Sequence, residues 1–126
     1  MGLVFAVSGY DPPLQFLHED DASELMWWCL RDAPAGTFNA AGNGVVRYRE
    51  ICRMAGRPCV ALPAWLLYPL VGLGWRLRVL RFPPGLLDYV RYPWVADTRR
   101  LTDELGFRPR FSTRDALAAH LEAAQR

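Results

Sequence analysis

The chain has 126 residues, enough for one domain with a hydrophobic core, and its 52% hydrophobic and 22% charged content is typical of a globular protein rather than a disordered one. Its net charge is only +2, and its fifteen basic residues are all arginines spread along the sequence, so no basic stripe is available for a phosphate backbone. We therefore expect no nucleic-acid partner.

The cysteines and histidines give no pattern that indicates disulfides or a metal site. Cys29, Cys52 and Cys59 lack C-x-x-C spacing, and an odd number of cysteines cannot all pair within one chain. His18 and His120 stand far apart, with no ligand spacing around either. The N-terminus lacks the basic region and the length of a signal peptide. We expect reduced thiols, no metal and a cytoplasmic location.

The first third of the sequence predicts short strands around one helix. Asp20 or Asp21 is expected to cap a helix that continues through Leu30. Four short segments show strand signals, and we interpret them as a strand remnant at 1–7, a buried strand at 14–18, a strand at 37–41 and a pairing segment at 45–46.

The middle of the sequence predicts a helix followed by a strand. The helix covers 48–55 and begins after Arg47, which is a poor N-cap, while Gly56 lies just past its end. A strand is predicted at 59–62. With the preceding segments, this alternation predicts an α/β fold with short connections.

Residues 63–80 form an unusually apolar stretch. Its uninterrupted apolar run ends at Arg76 and is shorter than the roughly 20 residues that a membrane-spanning helix needs. Three interpretations remain: a helix buried under a missing domain or a subunit, an interfacial amphipathic helix with Arg76, Arg78 and Arg81 on its polar side, or a substrate lid. We favour burial, predict an apolar helical insertion or lid over 63–91, and expect no membrane partner.

The tail predicts two helices joined by a sharp corner. Asp97 or Thr98 is expected to cap the first of them, and Gly106 ends it in a left-handed conformation. Ser112, with Asp115 three residues later, is a capping-box variant that opens the last helix.

Three blocks of the sequence carry a family resemblance. Residues 97–109 match the pattern D-(T/S)-x-(R/K)-x-x-x-(E/D)-L-G-(F/W)-x-P, and 112–117 match the helix start that follows it. Residues 16–22 are similar to a strand-to-helix joint, and 36–42, through Phe38-Asn39, to the (Y/F)-N part of a G-x-x-(Y/F)-N strand. In order and spacing, these blocks resemble the C-terminal part of extended short-chain dehydrogenase/reductases, the NAD-dependent epimerase/dehydratase family.

The resemblance implies the C-terminal, substrate-binding portion of an extended Rossmann-type fold, without the N-terminal cofactor half. In that family NAD(P) is held by a glycine-rich turn and the base is a tyrosine in Y-x-x-x-K. The sequence has neither motif, and it contains no lysine. We therefore assign no catalytic and no cofactor-binding residue, and we expect one partial domain over 1–126 that turns nothing over by itself.

The resemblance also directs attention to a substrate pocket, to which we assign His18, Asn39, Arg91, Tyr92 and Trp94. His18 is expected to lie in a cleft floor or to be a buried histidine satisfied by backbone groups. Arg91 is a candidate replacement for the family's phosphate-binding arginine. The substrate is either a sugar nucleotide or a more apolar molecule that suits the aromatic residues.

Two other functions stay open at this point. One is a non-catalytic interaction module that uses an exposed apolar face to bind a second copy or the missing Rossmann half. Trp27 and Trp28 cannot both face one core, so one of them is expected to meet a partner. The other alternative is a peripheral membrane module that uses residues 65–80.

Overall fold

The computed structural model describes residues 4–31 and 35–124. Its elements are, in chain order, β1 (Val4–Val7), β2 (Pro13–Leu14), α1 (Glu19–Arg31), β3 (Val46–Arg47), α2 (Tyr48–Met54), β4 (Cys59–Leu62), α3 (Ala64–Arg76), a 3-10 helix (Pro84–Val90), α4 (Arg99–Asp103) and α5 (Thr113–Ala123). Short strands mixed with several helices agree with the expected α/β class. The Rossmann-type relationship stays a prediction.

The chain forms two compact units. The described residues up to Pro13 and the range 47–94 make the first unit, and the second consists of 14–46 and the described residues from Val95 onward. The short strands β2 and β3 pair with each other. Two compact units can belong to one domain, so the single partial domain over 1–126 stays a prediction.

In the first unit, β1 and β4 form a parallel two-stranded sheet. Val4 lies opposite Cys59, and Val7 lies opposite Leu62. Parallel strands need a crossover connection, and α2 lies in that connection and contacts both strands. The strand predicted at 59–62 and the helix predicted at 48–55 are confirmed, and residues 4–7 of the run 1–7 form β1.

The core of the first unit lies between the sheet and α3. Leu67 and Val71 of α3 are buried with Val7 of β1 and Leu87 of the 3-10 helix. Pro84 occupies the first turn of that 3-10 helix, where its missing N–H costs nothing. Because α3 covers Ala64–Arg76, the helix expected within 63–80 is confirmed. Among the residues that the structure describes, no helix is both long enough and apolar enough to cross a membrane.

Two helices of this unit end in the same motif with different residues. At the end of α2, Gly56 has φ +64°, and the N–H groups of Gly56 and Arg57 donate to carbonyls of the last turn. At the end of α3, Arg78 occupies the equivalent position with φ +58°, and the N–H of Val79 donates to the carbonyl of Gly74 (2.9 Å). Both are Schellman caps. An arginine there carries the steric cost that glycine avoids.

The core of the second unit is built from α1, α4 and the chain after α4. Leu25, Leu101, Leu105 and Phe107 are buried together, with Trp28 and Phe38 packed against them. Trp27 is exposed. The expectation that only one of the two tryptophans faces the core is therefore confirmed.

The local signals of the tail are confirmed with one adjustment. Gly106 has φ +69°, and the Ser112 hydroxyl accepts a hydrogen bond from the N–H of Asp115 while the Asp115 carboxylate accepts from the N–H of Ser112. At the start of α4 the Thr98 side chain makes no capping bond, and the Asp97 carboxylate accepts from the Arg99 N–H (3.0 Å) instead.

The prediction that Asp20 or Asp21 caps α1 is wrong, because the helix already begins at Glu19. Asp21 is fully buried and accepts hydrogen bonds from the backbone N–H groups of Arg110 (3.1 Å) and Phe111 (3.0 Å). The Arg110 guanidinium lies 3.4 Å from the same carboxylate. Asp21 therefore fastens the segment before α5 to α1.

The strand predicted at 14–18 is too long, and the strand predicted at 37–41 is wrong. The first shrinks to β2, and no strand forms at 37–41. One reason is Gln15, whose side-chain amide donates to the Gly42 carbonyl (3.2 Å) and accepts from the Ala96 N–H (2.9 Å), replacing a ladder by side-chain bonds. The Gly42 N–H donates to the Phe16 carbonyl, at an approach so close that a Cβ on Gly42 would lie 2.3 Å from that oxygen.

Candidate functional site

The residues assigned to a substrate pocket are divided between the two units. Arg91, Tyr92 and Trp94 belong to the first unit, whereas His18 and Asn39 belong to the second. Three of the assigned residues, which are close in sequence, thus lie together in the first unit.

The 3-10 helix positions this first group. Leu87 is buried in the core of the first unit and holds the helix in place, while Asp88 lies on the exposed side. The backbone N–H groups of Arg91 (3.2 Å) and Tyr92 (3.0 Å) donate to the Asp88 carbonyl, which turns the chain back at the end of the helix. Arg91 and Tyr92 therefore project from a fixed turn.

Arg91 lies beside two tyrosine rings. Its guanidinium carbon is 5.6 Å from the centroid of the Tyr68 ring and 5.3 Å from that of Tyr92, both within cation–π range. A hydrogen bond with Tyr68 and the nearby Tyr92 raise the pKa of Arg91 above its ordinary value. The side chain is therefore a permanent cation held in position, with planar donors that suit a carboxylate or a phosphate.

Tyr68 joins this group from α3, and its hydroxyl donates to the Asp88 carboxylate. Burial raises the pKa of Tyr68, and the hydrogen bond to Asp88 adds to the increase. A phenol that serves as a general base needs a lowered pKa. Tyr68 therefore keeps its proton and acts as a hydrogen-bond donor, which the sequence did not show because Tyr68 and Asp88 are twenty residues apart.

A second aromatic pair lies in the same stretch. The rings of Tyr89 and Trp94 stack with centroids 4.7 Å apart and an interplanar angle of 5°. The N–H of Trp94 donates to the Pro13 carbonyl (3.0 Å), which fixes its backbone. Both side chains are about half exposed, so they are not core residues. Their outer faces offer a flat apolar surface to a ring or to a sugar.

In the second unit, His18 lies at the start of α1. Its Nδ1 accepts a hydrogen bond from the Asp20 N–H (3.2 Å), and its ring stacks on Phe111 at 4.0 Å. A backbone group thus satisfies this nitrogen, as one of the two expectations for His18 requires. His18 also lines a cleft of about 190 Å³ whose other side is formed by α5, including His120. The functional role of His18 in a cleft floor stays a prediction.

Asn39 is exposed, and its side-chain amide donates to the Asp97 carbonyl (3.1 Å). This bond ties the 36–42 block to the start of the 97–109 block. Its assigned role in substrate binding stays a prediction. Leu14, where the family resemblance implies a phosphate-binding arginine, is buried in this protein.

Sequence reasoning missed a basic cleft in the first unit. It has a volume of about 480 Å³ and is lined by Asp11, from the segment before β2, and by residues of α2, of the following turn and of β4: Arg49, Cys52, Arg53, Arg57, Pro58, Cys59 and Ala61. Burial raises the pKa of the Cys52 thiol to about 11. Cys52 is thus a poor nucleophile at neutral pH, because the thiolate is the reactive form.

Metal chemistry has no support from side-chain clustering. Over residues 4–31 and 35–124, no group of three or more histidine, cysteine, aspartate or glutamate residues is arranged to hold a metal ion.

The chain is similar to curated proteins of mycobacteria. It is 32% identical over 114 residues to the uncharacterized protein Mb0513 of Mycobacterium bovis and, with the same identity, to the uncharacterized protein Rv0501 of Mycobacterium tuberculosis. The match covers 90% of this chain but only 30% of each relative. No protein-family model and no solved structure matches the chain.

Proposed function

We propose that this chain is the substrate-side, C-terminal part of a protein similar to the NAD-dependent epimerase/dehydratases, and that it binds a small molecule in the cytoplasm without catalysing a reaction by itself. The proposal is supported by the three sequence blocks and by the α/β architecture. It is also supported by the relatives, of which the matched region is only 30%. In the full-length protein, residues outside this chain would hold NAD(P) and supply the base.

The observation that carries the ligand-binding part is the group of Arg91, Tyr68 and Tyr92 beside the Tyr89–Trp94 stack. Arg91 offers a positioned cation and planar donors, and the stacked pair offers a flat apolar surface. A ligand with an anionic group next to a sugar, a base or another apolar ring fits this chemistry. Both a sugar nucleotide and a more apolar anion meet the requirement.

Equilibrium binding with two anionic probes tests the proposal. We expect uridine diphosphate glucose or phenyl phosphate to bind the chain, and Arg91→Gln to weaken binding about three- to tenfold, as the loss of one partly exposed charge-assisted contact implies. Arg53→Gln removes an exposed arginine from the basic cleft beside α2, so it distinguishes that cleft from the Arg91 group; it should leave the affinity unchanged. NAD should not bind more tightly than these two probes with an affinity that Arg91→Gln leaves unchanged.

Three results would contradict the proposal. Neither probe binds, or Arg91→Gln and Arg53→Gln weaken binding equally, or the purified chain with added NAD turns over a nucleotide sugar. The first two results remove the ligand site, and the third removes the claim that the reactive groups lie outside this chain.

A second candidate function has a specific observation in its favour. The outer face of α1 exposes Met26, Trp27 and Leu30 in the second unit. An apolar face of this kind suits a protein partner such as a second copy or the missing Rossmann half. Light scattering after size exclusion tests the second copy as the partner: self-association through this face requires an oligomer that Trp27→Asp dissociates, whereas a monomer at all concentrations excludes it.

A further inference from the structure

The solvent-facing side of α3 is apolar, as is its buried side. Leu67 and Val71 point into the core of the first unit. The opposite side carries Trp65, Leu66, Leu70 and Leu73, whose side chains are 76%, 38%, 52% and 59% exposed. A surface helix normally turns charged residues to water, and here Arg76 is the one charged residue among the thirteen of α3. This outward face of α3, from Trp65 to Leu73, is therefore an unpartnered hydrophobic surface.

The stretch of sequence that contains α3 carries charge of one sign, and the first carboxylate after it, Asp88, is paired with Tyr68. The sequence from 51 to 87 contains five arginines and neither aspartate nor glutamate. Three of these arginines lie at the end of α3, where Arg76, Arg78 and Arg81 line an open cleft of about 510 Å³ together with Trp75 and Leu80. The apolar face thus ends in a basic cleft.

Arg78 adds an independent observation. It occupies the left-handed position of the Schellman cap with φ +58°, where Gly56 serves the equivalent cap of α2. A non-glycine residue in this conformation costs about 1–2 kcal/mol. Backbone strain of this kind is commonly retained where the side chain has a function. The Arg78 cation at the end of α3 thus occupies a position that glycine would fill without this steric cost.

We propose that the outward face of α3 lies flat on an anionic lipid surface, with its leucines and Trp65 in the interfacial layer and Arg76, Arg78 and Arg81 at the lipid phosphates. A helix of thirteen residues is about 20 Å long and suits an in-plane position. Tryptophan favours the membrane interface, and clustered arginines are attracted to anionic headgroups. This placement is independent of the proposed ligand site.

The charge distribution favours a lipid surface over a protein partner for this face. The other exposed apolar face, on α1, follows a first turn whose exposed carboxylates, Glu19 and Asp20, an anionic bilayer would repel. α3 has no acidic residue. A second copy docking face to face would also bring its arginines against their own equivalents, because a two-fold interface uses the same patch on both copies.

Vesicle co-sedimentation tests the proposal with the purified chain. Vesicles of phosphatidylcholine with 30–50% phosphatidylglycerol, roughly the anionic content that attracts polybasic segments, should bind the chain, and pure phosphatidylcholine should bind it at least about tenfold more weakly. Leu70→Asp and Trp65→Asp should each reduce binding about tenfold or more. Replacing Arg76, Arg78 and Arg81 by glutamine should remove the preference for the anionic lipid.

Leu30→Asp on α1 is the matched control, because Leu30 is 82% exposed yet lies in an acidic helix. It should leave vesicle binding unchanged. Far-ultraviolet circular dichroism establishes that each variant is folded, and the exposed positions of Leu70 and Trp65 favour this. A blue shift of tryptophan emission on vesicle binding that is absent in Trp65→Phe would locate the contact on α3.

The proposal is overturned by any of four results. The chain binds neither kind of vesicle, or Leu70→Asp and Leu30→Asp reduce binding equally, or the longer mycobacterial relative fails to bind vesicles that this chain binds, which means that other residues cover the face. The fourth is a dimer dissociated by Leu70→Asp in a chain that does not bind vesicles, which assigns the face to a second copy.

Discussion

Asp21 makes a contact on which the second unit depends, and replacing it gives a sharp stability test. The carboxylate is fully buried and accepts the backbone N–H groups of Arg110 and Phe111. Asp21→Ala leaves both donors without their acceptor, at about 1–3 kcal/mol each. We therefore expect the free energy of unfolding to fall by about 2–5 kcal/mol. Arg110 keeps its ion pair with Glu24 (3.0 Å), so the loss stays below that of a buried charge left unpaired.

The assay is urea unfolding followed by circular dichroism, with Asp20→Ala as the control. Asp20 is also in the first turn of α1, but its side chain is exposed, so its loss removes only a helix-dipole contribution of about 0.3–1 kcal/mol. The slope of unfolding against urea should be unchanged. If the two variants lose the same free energy, Asp21 does not fasten the segment before α5, and our account of this unit is wrong.

The pH dependence gives a second check on Asp21. Burial raises the pKa of this carboxyl, but the hydrogen bonds from Phe111 and Arg110 outweigh burial and lower the pKa below its ordinary value. A carboxyl group whose pKa is lower in the folded state stabilises the protein at pH values above its unfolded pKa of about 3.9. This stabilisation is lost as the pH falls through the folded pKa. The difference in free energy of unfolding between wild type and Asp21→Asn should therefore be largest at pH 7 and decrease below about pH 4. A difference that grows on acidification would contradict this assignment.

Three further predictions concern helix ends and thiols. Arg78→Gly should raise the free energy of unfolding by about 0.5–1 kcal/mol, because glycine relieves the left-handed strain. Arg76→Gly, at the last residue of α3, should instead lower it by about 0.5 kcal/mol, and equal signs in urea unfolding would refute this. Ser112→Ala should cost about 1 kcal/mol by removing the capping box, and no loss in the same assay would show that the box is dispensable. Iodoacetamide at pH 8 should modify exposed Cys29 at least about tenfold faster than Cys52, because burial raises the pKa of Cys52 to about 11. Equal modification rates of the two cysteines, measured by peptide mass spectrometry, would contradict this.

Local signals made parts of this fold predictable from sequence. The Ser112–Asp115 capping box, the glycines after α2 and α4, and β4 all rest on residues within a few positions of one another. The role of Asp21 was not predictable, because its partners are 89 and 90 residues away. The side-chain bonds of Gln15 were not predictable for the same reason, since its amide reaches Gly42 and Ala96, whereas the sequence predicts strands at 14–18 and 37–41.

Some members of the candidate site were predictable, but Tyr68, Tyr89 and the arrangement of the group were not. Arg91, Tyr92 and Trp94 stood out as a cation among aromatic residues, but the contact of Arg91 with Tyr68 requires α3 and the 3-10 helix to pack together. The exposure of α3 was not predictable either, because an apolar run looks the same whether it is buried or faces outward. Burial was the favoured interpretation, and the structure divides the helix into one buried side and one exposed side.

The most direct test of our central claim is to locate the bound ligand by nuclear magnetic resonance. With uniformly labelled chain and uridine diphosphate glucose or phenyl phosphate as the probe, we predict that the indole N–H of Trp94 and the backbone amides of 88–92 and 94 shift on titration. Arg91→Gln should suppress these shifts. Shifts confined to the cleft around His18 and His120, or no shift with either probe, would contradict the claim that the Arg91 group binds the ligand.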